Sequence, residues 1–245
     1  IYGMLRMIYQ ILKQYKNLKQ LIVIFDSSQK TFRNKLFENY KKNRPRMPDL
    51  LAAQIPPLFQ AIKKIGIKIL SIPGIEADDI IGSLAVQLEK KGEKVLIISH
   101  DKDMLQLVTK NIHILNKKQN IIIKPEYIQD KYGILPIEFI DLLALMGDNS
   151  DNIPGVPGIG KKTALLLLNH FSNIKNVYNN LDKIPYLKLR NAKNIATQLK
   201  NNKDIAFLSY KLAKIKRDVE INLTLEEINI NTSLIKNIFY FFKKY

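Results

Sequence analysis

The fold is decided by residues 67–101, IKILSIPGIEADDIIGSLAVQLEKKGEKVLIISHD. Two short apolar runs, at 67–70 and 95–98, have the length and composition of buried strands. The segment between them contains the turn Pro73-Gly74 and continues as a predicted helix from 76 to about 92. The order strand, helix, strand is typical of a parallel α/β sheet.

The rest of the chain extends this pattern. We also predict a helix at 3–16, a strand at 21–25, a helix at 50–65 and a hairpin of 111–116 with 120–124. From residue 125 onward the periodicity is helical, and the cluster 239–242 near the C-terminus is expected in the core rather than on a partner surface. The predicted fold class is therefore α/β, with a mostly parallel sheet followed by a helical part.

Composition restricts the classes of function. Cysteine is absent, which excludes disulfides, thiolate metal sites and cysteine nucleophiles. The net charge of +17 favours a polyanionic partner, although an AT-rich genome also produces lysine-rich proteins without one. No apolar run approaches the ~20 residues of a membrane span, and the N-terminus shows no export pattern. We therefore expect a cytoplasmic, nucleoid-associated protein with no membrane partner.

Carboxylates are grouped at four places in the sequence. Two groups follow apolar strands, where the ligands of parallel sheets bind. A third begins the helix at 76, and the fourth lies in the turn-rich segment 147–152. Their members are Asp26, the pair Asp101 and Asp103, the trio Glu76, Asp78 and Asp79, and the pair Asp148 and Asp151.

Each acidic group has a structural interpretation of its own. A charged first helical turn, an N-cap and a solvated loop would explain the groups one at a time. Together they favour a metal site, because carboxylates that converge without a cation repel each other. Oxygen ligands suit Mg²⁺ or Mn²⁺, and two such ions ~3.5–4 Å apart would assist a phosphoryl displacement.

A glycine-rich segment, 155–163, opens a predicted helix. It comes one residue short of a phosphate-binding loop, since Lys162 stands where Ser or Thr would hold magnesium, and no strand precedes it. An ATPase is therefore disfavoured. A hairpin between helices that grips a DNA phosphate, or a purely structural turn, accounts for the segment. The residues that would contact DNA are Gly155, Gly158, Gly160, Lys161, Lys162 and Thr163.

The segment 31–46 alternates aromatic and cationic side chains. Three of the six arginines in the chain, Arg33, Arg44 and Arg46, fall in it. Aromatic rings can stack on exposed bases while cations hold the backbone of a single strand. The alternative is a lysine-coated amphipathic helix with its aromatic residues in the core.

With these features in order, the chain resembles the 5′ nuclease family of flap endonucleases and 5′–3′ exonucleases. The matching stretches are VIFD at 23–26, TFR at 31–33, YKKNRP at 40–45, GIEADDIIG at 74–82, DKDMLQ at 101–106 and LMGDNSDNIPGVPGIGKKTA at 145–164. The resemblance implies a Rossmann-like (PIN-like) core at 1–124 that includes a helical arch at about 30–48. It also implies a helix-hairpin-helix-type, all-α subdomain at 125–245 with its DNA-binding hairpin at about 147–170.

The resemblance also implies roles for individual residues. The metal-site carboxylates would be Asp26, Glu76, Asp78, Asp79, Asp101, Asp103, Asp148 and Asp151. Lys41 and Arg44 of the arch would steer the scissile phosphate, and Arg33 would be a basic residue beside the site. Tyr40, Lys42 and Arg46 would contact DNA. The implied cofactors are two or more Mg²⁺ ions, with Mn²⁺ as a substitute, and K⁺ at the hairpin.

The expected function is metal-dependent 5′–3′ exonuclease and 5′ flap endonuclease activity in replication and repair. The expected partners are branched or 5′-ended DNA, RNA–DNA hybrids and a separate DNA polymerase, with the nuclease itself a monomer. The family pattern begins with a strand carrying a further aspartate, and the chain as given starts downstream of it. Either the sequence is a fragment, or the protein lacks this ligand, and in the second case the alternative function is a catalytically impaired module that binds DNA structures.

Overall fold

The computed structural model describes residues 1–231, 233–234 and 236–238, so the expectation for 239–242 lies outside the described residues. The helices of the first half are α1 (Tyr2–Gln14), α2 (Phe32–Leu36), α3 (Asp49–Ala52), α4 (Ile55–Lys64) and α5 (Ala77–Lys90). Those of the second half are α6 (Pro125–Tyr132), α7 (Phe139–Met146), α8 (Lys161–Phe171), α9 (Ile174–Asn179), α10 (Ala192–Asn201) and α11 (Lys203–Ala213). The strands are β1 (Ile22–Ile24), β2 (Lys68–Leu70), β3 (Val95–Ile98), β4 (Ile112–Asn116) and β5 (Ile121–Ile123).

The chain forms two compact units, each assembled from separate stretches of sequence. The first unit contains 1–29, 45–77 and the described part of 220–245, and the second contains 30–44 and 78–219. The predicted division at 124/125 into a core and a helical subdomain stays a prediction. No helix in the described part of the chain is long and apolar enough to cross a bilayer.

The first unit packs two helices and a parallel strand pair. β1 and β2 are parallel, with Val23 opposite Ile69. Leu5, Ile8 and Leu12 of α1 are buried in one cluster with Leu58 and Ile62 of α4. The three α1 residues recur at helical spacing, which confirms the amphipathic helix predicted at the N-terminus.

The predicted helix at 50–65 is two helices. α3 ends at Ala52 and α4 begins at Ile55, with a turn between them. Pro56 and Pro57 explain the break, because a proline lacks the N–H that a helix interior requires and is tolerated in the first turn. The apolar periodicity of the segment carries no sign of this interruption.

The second unit has a sheet of its own. β3 and β4 are parallel, and β5 returns antiparallel to β4, which confirms the predicted hairpin. Asn120, at φ +54°, supplies the left-handed residue that the tight reversal needs. Parallel pairing of strands is therefore present, as predicted. The described strands lie in two small sheets, however, and not in one.

Helix α7 is the centre of the second unit. Every residue from Phe139 to Leu145 is buried, and the helix packs on α8 and α11. The burial includes Asp141, whose Oδ1 accepts a hydrogen bond from the amide nitrogen of Ile174 at 2.9 Å. Burial raises the pKa of Asp141 to about 6, in spite of that hydrogen bond, since the charged form loses its hydration.

We expect Asp141→Asn to change the pH dependence of stability. The folded protein holds the proton of Asp141 more tightly than the unfolded chain does, because the pKa of Asp141 in the unfolded chain is near 3.8. The free energy of unfolding therefore falls as pH rises from about 4 to about 6, and the loss persists above that range. Asp141→Asn should raise this free energy at pH 7.5 by roughly 2–3 kcal/mol relative to the unsubstituted chain.

The measurement is urea unfolding at pH 4 and pH 7.5, with Asp182→Asn, on an exposed residue, as the control. An Asp141→Asn protein that retains the full pH-dependent decline would contradict the assignment.

Candidate active site

Asp101 and Asp103 lie at the start of a 3₁₀ helix, Lys102–Leu107, just after β3. Asp101 is its N-cap, and Oδ1 of Asp101 accepts a hydrogen bond from the amide nitrogen of Asp103 at 2.9 Å. The capping interpretation of this pair is thus correct for Asp101. It leaves the other oxygen of the Asp101 carboxylate outside the cap.

Asp103 is buried among other acids of the second unit. Its Oδ1 is buried and has no hydrogen-bond partner. Burial, and then the charges of Asp101, Asp148 and Asp151, raise the pKa of Asp103 to about 8. Burial of a carboxylate oxygen without a partner costs free energy. A bound cation would supply the missing contact and remove the repulsion from the other acids. Asp103 therefore fits the chemistry of a metal ligand.

Asp148 is held by its own loop. The amide and hydroxyl of Ser150 donate to Oδ1 of Asp148 at 2.9 and 2.7 Å, and Nζ of Lys102 lies 3.0 Å from the same oxygen. Burial opposes ionisation, but the bonds from Ser150 and Lys102 outweigh it, so the pKa of Asp148 is below its usual range. Asp148 is thus ionised at neutral pH.

Asp151 connects the predicted arch with the loop 147–155, here called the acidic loop. Oδ2 of Asp151 accepts a hydrogen bond from the hydroxyl of Tyr40 at 3.1 Å and lies 3.5 Å from Nζ of Lys41. Its Oδ1 pairs with the guanidinium of Arg44. The amide nitrogen of Lys41 also donates to the carbonyl of Asp151 at 2.9 Å. Three predicted arch residues therefore converge on a single predicted metal ligand.

Tyr40, which is predicted to contact DNA, is buried in this structure. It lies in the hydrophobic core of the second unit, with 5% exposed. Its ring is not open to stacking here and its hydroxyl binds Asp151, so a DNA contact of Tyr40 stays a prediction. Lys42 and Arg46 are the two cations of the arch that are predicted to contact DNA. Lys42 forms a hydrogen bond with Asn39 at 3.3 Å, and Arg46, in the first unit, lies 3.5 Å from Asp49. Both are exposed.

Asp26 and Glu76 belong to the first unit. Oδ1 of Asp26 accepts a hydrogen bond from the amide nitrogen of Ala77 at 2.8 Å, so the loop after β1 holds the residue that follows Glu76. Glu76 itself is buried. Asp78 lies in the first turn of α5, where the helix dipole favours a carboxylate.

Asp79 and Arg33, predicted as a metal ligand and a basic residue beside the site, form a buried ion pair. Nη1 and Nη2 of Arg33 donate to the two oxygens of Asp79 at 2.7 and 2.8 Å. The side chains are 3% and 0% exposed. Oδ1 of Asp79 also accepts from the amide nitrogen of Lys216 at 2.8 Å. Because both oxygens are occupied, the geometry assigns this pair to structure rather than to metal binding.

The pair is part of a wider attachment that the sequence analysis missed. The segment 212–219, which includes the end of α11 and the residues after it, is bound through its backbone by buried or half-buried side chains. Arg33 donates to the carbonyls of Leu212 and Lys214. The side chains of Ser83, Gln87 and Gln106 also form hydrogen bonds with this backbone. Gln106 uses both the nitrogen and the oxygen of its side-chain amide, and each hydrogen bond is 2.9 Å long. The only signal in the sequence is the presence of polar residues within buried stretches.

The described residues contain no group of three or more Asp, Glu or His side chains arranged to hold a metal ion. In the second unit, Lys102 lies against Asp148, and Lys41 and Arg44 against Asp151. Protein cations thus neutralise two of the acids that surround Asp103.

Two glycines close the acidic loop. Gly147 (φ +74°) and Gly155 (φ +63°) bring the two ends of the loop together. A Cβ on Gly155 would lie 2.3 Å from the amide nitrogen of Gly147. The hydroxyl of Ser209, buried on α11, accepts from the amide nitrogen of Gly155 at 3.0 Å. The loop is therefore a fixed platform for Asp148 and Asp151.

The glycine-rich hairpin leads from this platform into α8. Gly158 and Gly160 face open space, so that another backbone can approach them closely. Lys161 and Lys162 are the first residues of α8 and both are exposed, with the half-buried Thr163 next to them. Open glycines beside two cations at a helix N-terminus suit a phosphate.

Two family models match the chain. The model described as 5′-3′ exonuclease, N-terminal resolvase-like domain, matches residues 1–133. The model described as 5′-3′ exonuclease, C-terminal SAM fold, matches residues 134–234.

Several curated proteins are similar over nearly the whole chain. A 5′-3′ exonuclease of Buchnera aphidicola subsp. Acyrthosiphon pisum is 67% identical over 245 residues, which are 100% of this chain and 86% of that protein. A 5′-3′ exonuclease of Aquifex aeolicus is 40% identical over 230 residues, 94% of this chain and 76% of that protein. DNA polymerase I of Pseudomonas aeruginosa is 43% identical over 227 residues, 92% of this chain but 25% of the polymerase.

Solved structures agree with the fold. T5 5′-exonuclease with bound divalent metal ions (zinc) has a TM-score of 0.73 and 22% identity, covering 98% of this chain and 90% of that one. The catalytic core of Rad2 in complex with DNA substrate has a TM-score of 0.56 and 21% identity, covering 89% and 71%. Together with the family models, they confirm the predicted PIN-like core and helical subdomain.

We expect Asp79→Ala to lower the free energy of unfolding by about 3–5 kcal/mol, because it leaves the Arg33 charge buried without a partner. The double variant Arg33→Met/Asp79→Leu should recover part of this loss. Asp182→Ala, at an exposed position, is the control and should change the value little. Urea unfolding in EDTA measures all three, and an Asp79→Ala protein as stable as Asp182→Ala would contradict the structural role.

We expect Gly155→Ala to destabilise the chain by about 2–4 kcal/mol, through left-handed backbone strain and a clash with Gly147. Gly158→Ala (φ +78°, open surroundings) should show the conformational cost alone, about 1 kcal/mol. Gly160→Ala should be close to neutral. Thermal unfolding gives the order of the three variants, and equal effects at Gly155 and Gly158 would exclude the clash.

Proposed function

Because the chain belongs to the 5′–3′ exonuclease family and is a 5′ nuclease that acts on DNA, we propose that it hydrolyses phosphodiesters at 5′ ends and 5′ flaps with Mg²⁺. The observation that carries the metal dependence is the buried, unpartnered oxygen of Asp103, surrounded by the charges of three other acids. Mn²⁺ would substitute, since it shares the preference of Mg²⁺ for carboxylate oxygen.

The residues that would hold metal in the second unit are Asp101, Asp103, Asp148 and Asp151. Asp26, Glu76 and Asp78 are proposed as further ligands on the family resemblance alone. Asp79 is not among them, because Arg33 and Lys216 occupy its oxygens. When bound, the metal ions supply activation of water and neutralisation of charge on the transferring phosphate.

Lys41 and Arg44 would bind the scissile phosphate. In this structure both face the carboxylate of Asp151, to which a phosphate oxygen is chemically similar. Lys41 adopts φ +57° and its amide is fixed to the Asp151 carbonyl, so the backbone beneath the ammonium is held in place. Exchange of a carboxylate for a phosphate then needs only a movement of the two side chains. The cations would stabilise charge in the transition state.

The hairpin would hold duplex DNA through its open glycines and its lysines. A K⁺ ion bound at the hairpin is part of the same proposal. Contacts to the backbone carry no base information, so branched shape would determine where the enzyme cuts. RNA–DNA hybrids, a separate DNA polymerase as partner and a monomeric state are parts of the same proposal. The similarity to DNA polymerase I, over one quarter of that protein, supports only the association with a polymerase.

We expect Asp101→Asn to lower cleavage of a 5′-labelled flap duplex by at least about 100-fold, because it removes a charge from the proposed metal site. Binding of the same duplex in EDTA should change by less than about threefold. Asp182→Asn, on an exposed residue, is the control and should cleave normally. Unchanged turnover of the Asp101→Asn protein would disprove the role given to Asp101.

The unsubstituted chain is assayed with Mg²⁺ and with EDTA. Metal-dependent release of short 5′ products is the expected result. Tight binding of the flap duplex without cleavage would instead support the alternative of an impaired module that binds DNA structures.

A further inference from the structure

A cluster of lysines and tyrosines lies beside the hairpin and shares only Lys161 with the site described above. Lys131 and Tyr132 end α6, and Lys161 begins α8. Nζ of Lys161 lies 4.5 Å from the centre of the Tyr132 ring, and Nζ of Lys131 lies 5.6 Å from the same centre. Two ammonium groups from different helices therefore share one aromatic ring.

The geometry of this cluster is fixed by packing. The Tyr132 ring stands edge to face against Phe139, at 5.4 Å between centres, and Phe139 is 2% exposed. Nζ of Lys131 also donates to the hydroxyl of Tyr127 at 2.8 Å and lies 5.0 Å from that ring. Lys131, although exposed, is thus restrained more than an ordinary surface lysine, whose free side chain would lose much entropy on binding a ligand.

The charge of the cluster is unbalanced. Among the described residues, no carboxylate lies within ion-pair distance of Lys131 or Lys161. The ring faces attract the two cations, but they do not neutralise them. An anion placed between the ammonium groups would relieve their mutual repulsion and gain attraction from both.

The surroundings indicate which anion fits. The glycines at 158 and 160 next to Lys161 leave open space, so an extended ligand can lie along the hairpin and reach α6. The end of α6 and the start of α8 meet at this point through Nζ of Lys161 and the ring of Tyr132. An extended polyanion such as a chain of phosphates can therefore contact the hairpin and the two lysines together.

We propose that Lys131, Tyr132 and Lys161 form a phosphate-binding site for the backbone of duplex DNA, and that this site extends the grip of the hairpin onto α6. The proposal rests on the proposed function, since it assumes that the hairpin binds a duplex. It assigns DNA binding to Lys131 and a supporting role to the rings of Tyr127 and Tyr132. The contact carries no base preference, because it involves only the backbone.

The test is the salt dependence of binding to a blunt double-stranded oligonucleotide in EDTA. Loss of one phosphate contact should make the slope of log K against log salt less negative by about 0.9 and weaken binding about tenfold at 0.1 M salt. Lys131→Met and Lys161→Met should each show this change. Lys117→Met removes the same charge from a half-buried residue of the β4–β5 turn and is the matched control.

Tyr127→Phe separates a built site from a general effect of net charge. It removes only the hydroxyl that holds Lys131 and leaves the charge of the protein unchanged. We expect it to weaken duplex binding about two- to fivefold, as the loss of one hydrogen bond predicts. Equal salt slopes for Lys131→Met and Lys117→Met would overturn the proposal.

Flap cleavage by the unsubstituted chain, assayed in parallel, distinguishes this failure from a failure of the proposed function. Normal cleavage together with an unaffected Lys131→Met protein would remove only the phosphate site. Absence of both cleavage and duplex binding in the unsubstituted chain would overturn the nuclease assignment, and this proposal with it.

Discussion

The buried pair of Arg33 and Asp79 is the interaction on which the second unit depends. A guanidinium and a carboxylate with 3% and 0% of their side chains exposed can exist only when each satisfies the other, and here they also bind the backbone of the segment after α11. That segment forms no strand, so its polar backbone groups need side-chain partners. The pair thereby attaches α11 to α5, and α11 in turn supports α7 and the acidic loop through Ser209.

The acidic loop shows how the same charges serve both stability and chemistry. Asp148 and Asp151 are partnered by Lys102, Lys41 and Arg44, whereas the inward oxygen of Asp103 has no partner. The cations suppress repulsion among the acids before any ligand arrives. Because the three cations are partly exposed, they can leave a carboxylate for a phosphate at a smaller cost than the buried pair of Arg33 and Asp79 would incur.

Much of the fold follows from local patterns in the sequence. The apolar runs predicted the strands, and the spacing of Leu5, Ile8 and Leu12 predicted α1. The division of the predicted helix at 50–65 was missed because apolar periodicity continues across it. The roles of Arg33 and Tyr40 could not be predicted, because their partners lie 46 to 181 residues away and nothing near them in the sequence indicates burial. The acidic motifs identified candidate ligands, but only the three-dimensional structure distinguishes the paired Asp79 from Asp103, whose Oδ1 has no partner.

The first unit is formed by stretches that are far apart in the sequence, and this affects how it folds during synthesis. The amide of Leu21, next to β1, donates to the carbonyl of Ile228, and Leu234 and Ile238 belong to the same core as α1. The residues involved are separated by most of the polypeptide. At typical rates of translation, the N-terminal residues emerge from the ribosome roughly 10–40 s before their partners. The second unit can form during this interval, whereas the first unit remains incomplete until the stretch that contains Ile228 and Leu234 has been synthesised.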